Sequence, residues 1–342
     1  MKAKKSLFLL VLFSLLFSLL ISCSNGSTDP EPEPPPEPVT TVYIAGWYDD
    51  GTYDVACYWK NGAKTDLTTA NDARANAIAV VGSDVYVAGQ CFDGTEYVAC
   101  YWKNGTITNL STDPSEALAI AVVGSDVYAA GQYHNGSENV ACYWKGTTKT
   151  DLYTTANSEA YVIAVVGSDV YTAGQYSNGT NYAACYWKGT ARTDLYTTDN
   201  SGAYAISVVG SDVYTAGYYN NGGTNDVACY WKNTAGGKID LYTTADSSAN
   251  AIAVVGSDVY AAGQYYNGSE YVACYWKGAT KTDLSTTDSN AYAIAVAGSD
   301  VYTAGFYVNG GTDAACYWKN GAKTDLYTTA QSYANGIVVT VE

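Results

Sequence analysis

The sequence predicts an all-β fold, a seven-bladed β-propeller whose blades each contain four strands. Three observations lead to this prediction. The motif Val-Tyr-x-Ala-Gly occurs seven times, beginning at Val42 and ending with the copy at Val301, at intervals of 42 to 46 residues. Intervals of that length are typical of propeller blades and solenoid repeats. Each interval contains four short β-rich runs separated by turn residues, and no run after residue 40 shows sustained helical periodicity.

The third unit illustrates the order of the predicted strands. Its four runs are ALAIAVV (117–123), VYAAG (127–131), VACYWK (140–145) and KTDL (149–152). Glycine and polar turn residues separate each run from the next. Seven units of four strands each predict a propeller with seven four-stranded blades.

The two ends of the repeat region predict how the ring closes. The first unit lacks its AIAVV run and begins directly at TVYIAG (41–46), whereas NGIVVTVE (335–342) is a lone copy of the missing run. A circular fold would use this C-terminal strand to complete blade one and so remove an open sheet edge. A linear solenoid, the alternative, would show atypical capping repeats.

The N-terminal segment has the pattern of an export signal. Lys2, Lys4 and Lys5 precede an apolar run from Leu7 to Ile21. Six of the seven prolines of the chain follow in residues 24–39, and such a stretch favours an extended spacer. The predicted organisation is therefore a signal peptide at 1–22, a tether at 23–40 and a propeller at 41–342.

The residues around Cys23 resemble the lipobox of bacterial lipoproteins. The sequence Leu-Ile-Ser-Cys ends the apolar run, and the resemblance implies cleavage before Cys23 and its lipidation. It also implies a location in the bacterial cell envelope, at the outer membrane or cell surface, with the lipid as the only membrane attachment. An ordinary secretory signal is the alternative.

The repeats resemble two families. The order of a glycine-ended VYxAG run, a tyrosine strand and a tryptophan resembles kelch repeats, although single glycines replace the paired glycines of that family. The passage from ACYWK to VYVAG (56–89) is similar to HAF-type extracellular repeats. Both resemblances imply that AIAVV is the innermost strand and KTDL the outermost, and neither implies a catalytic residue.

Seven cysteines stand in the motif ACYWK, at Cys57, Cys100, Cys142, Cys185, Cys229, Cys274 and Cys316. Their position in a buried middle strand predicts packing, because a free cysteine behaves as a small apolar side chain. Redox chemistry and metal binding are the alternatives, but His134 is the only histidine and no C-x-x-C occurs. Cys91 replaces a tyrosine in a predicted loop, and we expect a free thiol there or, alternatively, a pair with Cys100.

Strand order divides the loops between two faces. The turns from the first to the second strand and from the third to the fourth lie on one face, here the turn face, and they are short and nearly invariant. The other loops lie on the opposite face, here the loop face, and they are rich in Tyr, Asn, Ser and Gly, a mixture common in binding loops and also in plain turns. The candidate ligand-binding residues are Tyr133, Tyr176, Tyr219, Tyr266 and Tyr307, with Tyr153, Tyr196, Tyr242 and Tyr327 as a second ring.

The formal charge of −16 argues against nucleic acid and anionic membrane surfaces as partners. The sequence contains no catalytic constellation that breaks the repeat, so no catalytic residue, cofactor or metal ligand is predicted. The predicted function is a monomeric, non-catalytic module that binds a glycan or peptide through the loop face. The alternatives are an envelope interaction scaffold and an enzyme acting on glycans.

Overall fold

The computed structural model describes residues 38–68 and 72–342. They form seven four-stranded antiparallel sheets, which are the blades of a propeller, and the predicted fold class is confirmed. The signal peptide and the tether up to residue 37 lie outside the described residues. In the part of the chain that is described, no helix has the length and apolar character needed to cross a membrane.

The blades are numbered along the chain, and each is given from its innermost to its outermost strand. Blades 1 to 4 are β28 (Ser332–Val341), β1 (Thr40–Asp49), β2 (Asp54–Lys60), β3 (Ala63–Asp66); β4 (Ala73–Val81), β5 (Asp84–Phe92), β6 (Tyr97–Lys103), β7 (Thr106–Asn109); β8 (Ser115–Val123), β9 (Asp126–His134), β10 (Asn139–Lys145), β11 (Thr148–Tyr153); and β12 (Ser158–Val166), β13 (Asp169–Ser177), β14 (Tyr182–Lys188), β15 (Ala191–Tyr196). Blades 5 to 7 are β16 (Ser201–Val209), β17 (Asp212–Asn220), β18 (Asp226–Lys232), β19 (Lys238–Tyr242); β20 (Ser247–Val255), β21 (Asp258–Tyr266), β22 (Tyr271–Lys277), β23 (Thr280–Asp283); and β24 (Ser289–Ala297), β25 (Asp300–Asn309), β26 (Thr312–Lys319), β27 (Ala322–Tyr327).

The ring closes as predicted. Strand β28 pairs with β1 from Thr40 and Val341 to Tyr48 and Ser332, so the C-terminal strand completes blade 1. Val39 and Glu342 extend this pairing through two backbone hydrogen bonds of 2.8 and 3.1 Å. The innermost strands of all seven blades line an axial channel of about 230 Å³, which confirms that AIAVV is the inner strand.

Each innermost strand carries a β-bulge near the loop face. In blade 4 the register with β13 passes from Ala160 to Val162 and leaves Tyr161 unpaired, and the same break recurs in every blade. The bulge explains the glycine of VYxAG: a Cβ added at Gly174 would lie 1.9 Å from the Glu159 carbonyl oxygen. Only glycine allows the second strand to approach the bulge this closely.

Short hairpin turns build the turn face. Gly167 follows β12 with a φ of +62°, the conformation that a type II′ turn requires at its first central residue. Asn61 and Gly62 both have positive φ, as a type I′ turn requires. Blade 5 has two extra residues in this turn and forms a 3₁₀ turn at Ala235–Gly237 instead.

The core consists of seven clusters between neighbouring blades. The repeated cysteine and tryptophan side chains lie at the centre of these clusters and are at most 1 % exposed. Burial raises the pKa of Cys185 and its counterparts far above the ordinary thiol value, so these thiols are poor nucleophiles at neutral pH. Their environment agrees with the packing role predicted for them.

A serine joins most blades to the preceding blade. Ser158 opens β12, and its Oγ accepts a hydrogen bond of 2.9 Å from the Ala141 backbone N–H of blade 3 while donating to the Tyr153 carbonyl oxygen. The strand register shifts between Ala141 and Cys142, so the serine satisfies an amide that the ladder leaves free. Blade 2 has Ala73 at this position.

Candidate functional site

Most of the first ring of predicted tyrosines belongs to a structural unit repeated on the loop face. In blade 4 the Tyr176 ring lies under the guanidinium of Arg192, 3.7 Å from its Cζ, and Arg192 also pairs with Asp194. Tyr133, Tyr219 and Tyr307 lie in the same way 2.9 to 3.2 Å from a lysine Nζ. Tyr176 and Tyr219 are only 5 % and 6 % exposed, so a ligand could not stack on them without rearrangement.

The second predicted ring packs against the tyrosines of the next blade. The ring centroids of Tyr153 and Tyr176 are 5.0 Å apart, those of Tyr196 and Tyr219 4.9 Å, those of Tyr242 and Tyr265 5.0 Å, and those of Tyr327 and Tyr48 4.5 Å. These tilted pairs are favourable aromatic contacts across blade boundaries. Their arrangement supports a packing role for the second ring.

Tyr266 does not belong to either ring. Its neighbour Tyr265 occupies the position equivalent to Tyr176, as the pairing with Ser247 shows. Tyr266 instead packs on Tyr271, with ring centroids 5.5 Å apart. The sequence prediction therefore named Tyr266 where the equivalent residue of the ring is Tyr265.

Blade 2 replaces the whole tyrosine unit. Cys91, Ile107 and Asn109 stand where blade 4 has Tyr176, Arg192 and Asp194. Cys91 lies in β5 rather than in the predicted loop, is buried, and has its Sγ 3.7 Å from Asn109 Oδ1. Cys91 and Cys100 are both free thiols, and a contact with the Cys100 thiol lowers the pKa of Cys91.

The copies differ from one another at three positions that the fold brings together where the channel opens on the loop face. We call these residues the axial mouth. Its second-strand positions are Trp47, Gln90, Gln132, Gln175, Tyr218, Gln264 and Phe306. Their partners on the innermost strands are Tyr333, Arg74, Glu116, Glu159, Gly202, Ser248 and Asn290. The bulge residues are Asn335, Asn76, Leu118, Tyr161, Tyr204, Asn250 and Tyr292.

The axial mouth has a polar side and an aromatic side. Blades 2 to 4 contribute Arg74, Glu116, Glu159 and three glutamines, whereas blades 5, 7 and 1 contribute mainly aromatic rings. On the aromatic side, Phe306 lies 5.1 Å and Trp47 4.8 Å from the Tyr333 ring, measured between centroids. This asymmetry is the kind of difference that a specific binding site requires.

Hydrogen bonds hold the polar side together. Glu159 Oε2 accepts hydrogen bonds from the Tyr161 hydroxyl and, at 3.3 Å, from Gln175 Nε2. Asn76 donates 3.0 Å to Glu116 Oε1, and burial raises the pKa of Glu116 above its ordinary value. Burial and the neighbouring Glu159 carboxylate also raise the pKa of Tyr161 strongly.

Two cavities open beside the mouth on the loop face. One, of about 440 Å³, lies between blades 2 and 3 and is lined by Glu116, Gln132 and His134 among others. The other, of about 390 Å³, lies between blades 5 and 6 and is called here the blade 5/6 cleft. Tyr204 lines both this cleft and the channel, so the cleft is continuous with the mouth.

The turn face is regular by comparison. In blades 2 to 7 the lysine of CYWK pairs with the aspartate of GSD, as Lys188 does with Asp169 at 2.7 Å. These pairs are exposed and the same from blade to blade. Across residues 38–68 and 72–342, no group of three or more His, Cys, Asp and Glu side chains is placed to hold a metal ion.

Sequence reasoning missed the axial mouth. A constellation confined to one blade would have been visible in the sequence, whereas the mouth takes its residues from three positions in every blade. The available signal was the variation at the bulge residue itself. It follows an alanine in every blade and is Asn, Leu or Tyr, depending on the blade.

No protein-family model matches the chain, and no curated protein matches its sequence. Among solved structures it is similar to a puromycin-hydrolyzing peptidase of Mycobacterium tuberculosis (11 % identity, TM-score 0.58, 85 % of this chain and 52 % of that one). It is also similar to the β-propeller domain of the trilobed protease from Pyrococcus furiosus (8 % identity, TM-score 0.51, 86 % and 97 %), which is described as having an open velcro topology. A third structure is an acylaminoacyl peptidase of Pyrococcus horikoshii (8 % identity, TM-score 0.49, 84 % and 50 %).

The chain spans about half the length of the first and third of these proteins. At such low identity, the similarity shows the fold alone. One difference in topology is clear, because β28 pairs with β1 here and closes the ring. The chain is a closed seven-bladed β-propeller with an asymmetric axial mouth on its loop face.

Proposed function

We propose that this chain is a non-catalytic binding module that takes a peptide or glycan at the axial mouth. The observation that carries the proposal is the gathering of three positions that differ between seven near-identical copies around one opening. Packing explains the invariant residues, but it does not require Arg, Glu, Gly, Ser, Asn and Tyr at one equivalent position. Mixed aromatic, amide and carboxylate groups suit a polar ligand with apolar parts.

The direction of β1 supports a tethered module. The described chain enters the body at Val39, beside Glu342, at the end of β1 that belongs to the turn face. A chain anchored through residues 23–40 would therefore present the axial mouth on the side opposite its point of entry. Lipidation at Cys23, location in the bacterial envelope and kinship with kelch-like or HAF-type repeats are parts of this proposal.

Lipidation has a direct test. In cells given a labelled fatty acid, the wild-type protein should incorporate the label and sediment with membranes, whereas a Cys23→Ser variant should do neither. A Cys91→Ser variant is the control, because Cys91 is buried in the propeller. Equal labelling of the Cys23→Ser variant would contradict the anchor.

Binding is tested with the full chain on glycan and peptide panels. The informative variant is Glu116→Gln with Glu159→Gln, which removes two carboxylates from the mouth. Its control is Asp126→Asn with Asp169→Asn, which removes two carboxylates from the turn face of the same two blades. A second mouth variant, Tyr218→Ala with Phe306→Ala, examines the aromatic side.

We expect at least one mouth variant to weaken binding of a panel ligand tenfold or more, while the turn-face variant binds as the wild type does. A ligand that both mouth variants bind normally would contradict the proposed site. Hydrolysis of a panel glycan by the wild type would contradict a non-catalytic role. Copurification of one stoichiometric envelope protein, lost in the mouth variants, would identify the ligand as a protein partner.

A further inference from the structure

The blade 5/6 cleft has a counterpart between blades 1 and 2, called here the blade 1/2 cleft, which the Arg74 side chain occupies. Between blades 1 and 2, the Arg74 guanidinium lies 4.6 Å above the Trp47 ring, and its Nε and one Nη are each 2.6 Å from Asp54 Oδ2. The chain therefore places its own cation between an aromatic ring and a carboxylate. Such a pair of contacts is favourable for a guanidinium.

The residues around that guanidinium have direct counterparts between blades 5 and 6. Tyr218 stands where Trp47 does, and Asp226 stands where Asp54 does, as the pairing of the second and third strands shows. The loops before β4 and β20 end in Asp72 and Asp246.

The outer wall of the two clefts also matches. The Tyr97 hydroxyl donates to Asp72 Oδ2 at 2.8 Å, and the Tyr271 hydroxyl donates to Asp246 Oδ2 at 3.5 Å. Both clefts thus contain two carboxylates, one hydrogen-bonded tyrosine and one aromatic ring at the mouth.

The two clefts differ in one respect, because only the blade 1/2 cleft contains a cation. Ser248 takes the position of Arg74, as the pairing of Ser248 with Gln264 and of Arg74 with Gln90 shows. Serine is uncharged, so this position supplies no positive charge to Asp226. Instead of a guanidinium there is a cavity of about 390 Å³, and none of the described residues that line it is basic.

The two carboxylates of this cleft lack a cationic partner within the described chain. Asp226 forms a hydrogen bond of 3.2 Å with Asn220, and Asp246 accepts one from the Asp226 backbone N–H, but neither forms a salt bridge with a described residue. By contrast, Asp54 has Arg74. An external cation would supply the missing partner.

We propose that the blade 5/6 cleft binds the guanidinium group of an arginine side chain on a partner polypeptide, in the position that Arg74 occupies in the blade 1/2 cleft. The planar cation would lie on the Tyr218 ring and pair with Asp226, while Asp246 adds negative charge behind it. This proposal rests on the proposed function, because it names the ligand chemistry for one sector of the same mouth. The acidic character of the chain, with a formal charge of −16, would favour approach of a basic partner.

The test uses Nα-acetyl-arginine amide as the probe, titrated into the full chain in detergent by calorimetry. Nα-acetyl-citrulline amide is the matched control ligand, because its side chain has the same shape without the charge. We expect the arginine probe to bind one site and the citrulline probe to bind at least tenfold more weakly. An arginine-containing peptide should bind more tightly than the amide if the natural ligand is a polypeptide.

Two exchanges make the test specific. Ser248→Arg should fill the cleft from within and abolish probe binding, while the fold is retained because Arg74 already occupies such a position. Arg74→Ser should open the blade 1/2 cleft and raise the number of bound probes from one to two. Circular dichroism and the melting temperature verify that each variant is folded.

Equal probe binding by the wild type and Ser248→Arg would overturn the inference, as would failure of the wild type to bind the probe. Equal affinity for the citrulline probe would also overturn it. These failures are distinguishable from failure of the proposed function. If the probe does not bind but a panel ligand still loses affinity in the mouth variants, the proposed binding site is supported. Only the assignment of a guanidinium ligand is then contradicted.

Discussion

Tyr176 of blade 4 packs against Tyr153 of blade 3, with ring centroids 5.0 Å apart. The Arg192 guanidinium lies over both rings, with its Cζ 3.7 Å from the Tyr176 centroid and 4.9 Å from the Tyr153 centroid. The contact crosses a blade boundary, so it stabilises the ring of blades rather than presenting a surface to a ligand.

We therefore predict that Tyr176→Ala lowers the free energy of unfolding by about 3 kcal/mol, as expected for loss of a buried aromatic side chain. Tyr176→Phe keeps the packing and should cost about 1 kcal/mol or less. Denaturant unfolding of the two variants measures both effects. A Tyr176→Ala protein with wild-type stability and impaired ligand binding would restore the binding role first assigned to this residue.

A second prediction concerns the glycines beside the bulges. Gly174→Ala places a Cβ 1.9 Å from the Glu159 carbonyl oxygen, so the two strands must separate. We expect a loss of about 3 kcal/mol or more in the free energy of unfolding. Gly236→Ala is the control, because its Cβ would lie 3.8 Å from the nearest atom, and it should change stability by less than about 0.5 kcal/mol. Similar effects for the two substitutions would contradict this explanation of the VYxAG motif.

A third prediction concerns buried hydroxyl groups. Thr172 is 1 % exposed and its Oγ1 has no hydrogen-bond partner among the described residues, whereas blade 2 has Val87 at the same position. Thr172→Val removes an unsatisfied buried group with little change in shape. It should increase the free energy of unfolding by about 1 kcal/mol. Thr172→Ser, which keeps the hydroxyl and loses a methyl group, should be less stable than the wild type, and a destabilised valine variant would show that the hydroxyl has a partner.

A fourth prediction concerns pH. Burial, and then the Asp246 and Asp199 carboxylates, raise the pKa of Asp226 above the ordinary value of 3.8, although Asn220 opposes this. The folded protein therefore holds this proton more tightly than the unfolded chain, and ionised Asp226 destabilises the fold at neutral pH. Asp226→Asn should raise the melting temperature at pH 7, and the gain should disappear as the pH falls through the raised pKa towards 3.8.

Asp212 is the matched control on the turn face of the same blade. Lys232 and Asn233 lower the pKa of Asp212, so its ionised form stabilises the fold above the ordinary value and this stabilisation is lost as the pH falls through the lowered pKa. Asp212→Asn should lower the melting temperature at pH 7. Melting temperatures of the two variants are measured between pH 3 and pH 7 and compared with those of the wild type. A change of melting temperature in the same direction for both variants at pH 7 would contradict these charge assignments.

The repeat itself made the fold predictable. Blade number follows from counting copies of Val-Tyr-x-Ala-Gly, strand order from the four runs in each copy, and the closing role of residues 335–342 from the inner run that the first copy lacks. The bulges did not follow, because Asn76 or Tyr161 reads in sequence as one more residue of a regular strand. The unpaired bulge residue and the requirement for glycine at Gly174 become evident only from the pairing of the first and second strands.

The site was harder to predict because its residues are distributed over all seven blades, three positions in each. Variation in the long loops drew attention to tyrosines such as Tyr176, which the fold buries beneath Arg192. Arg74 and Ser248 occupy the same position of the innermost strand in blades 2 and 6, which becomes evident only when the strand that faces the axis is known. Arg74 and Ser248 are equivalent in strand pairing, and the exchange has chemical meaning only because Asp54 and Asp226 lie beside them.

The pairing of β28 with β1 has a consequence for how the chain matures. Asn335 donates a hydrogen bond to the Ala75 carbonyl oxygen across 260 residues of sequence, and blade 1 lacks its inner strand until β28 has been synthesised. During translation, the inner edge of β1 therefore stays unpaired while the other six blades are completed. Contacts of such sequence separation form slowly, so ring closure is the step at which a chaperone, or a second copy of β28, could intervene before the mouth exists.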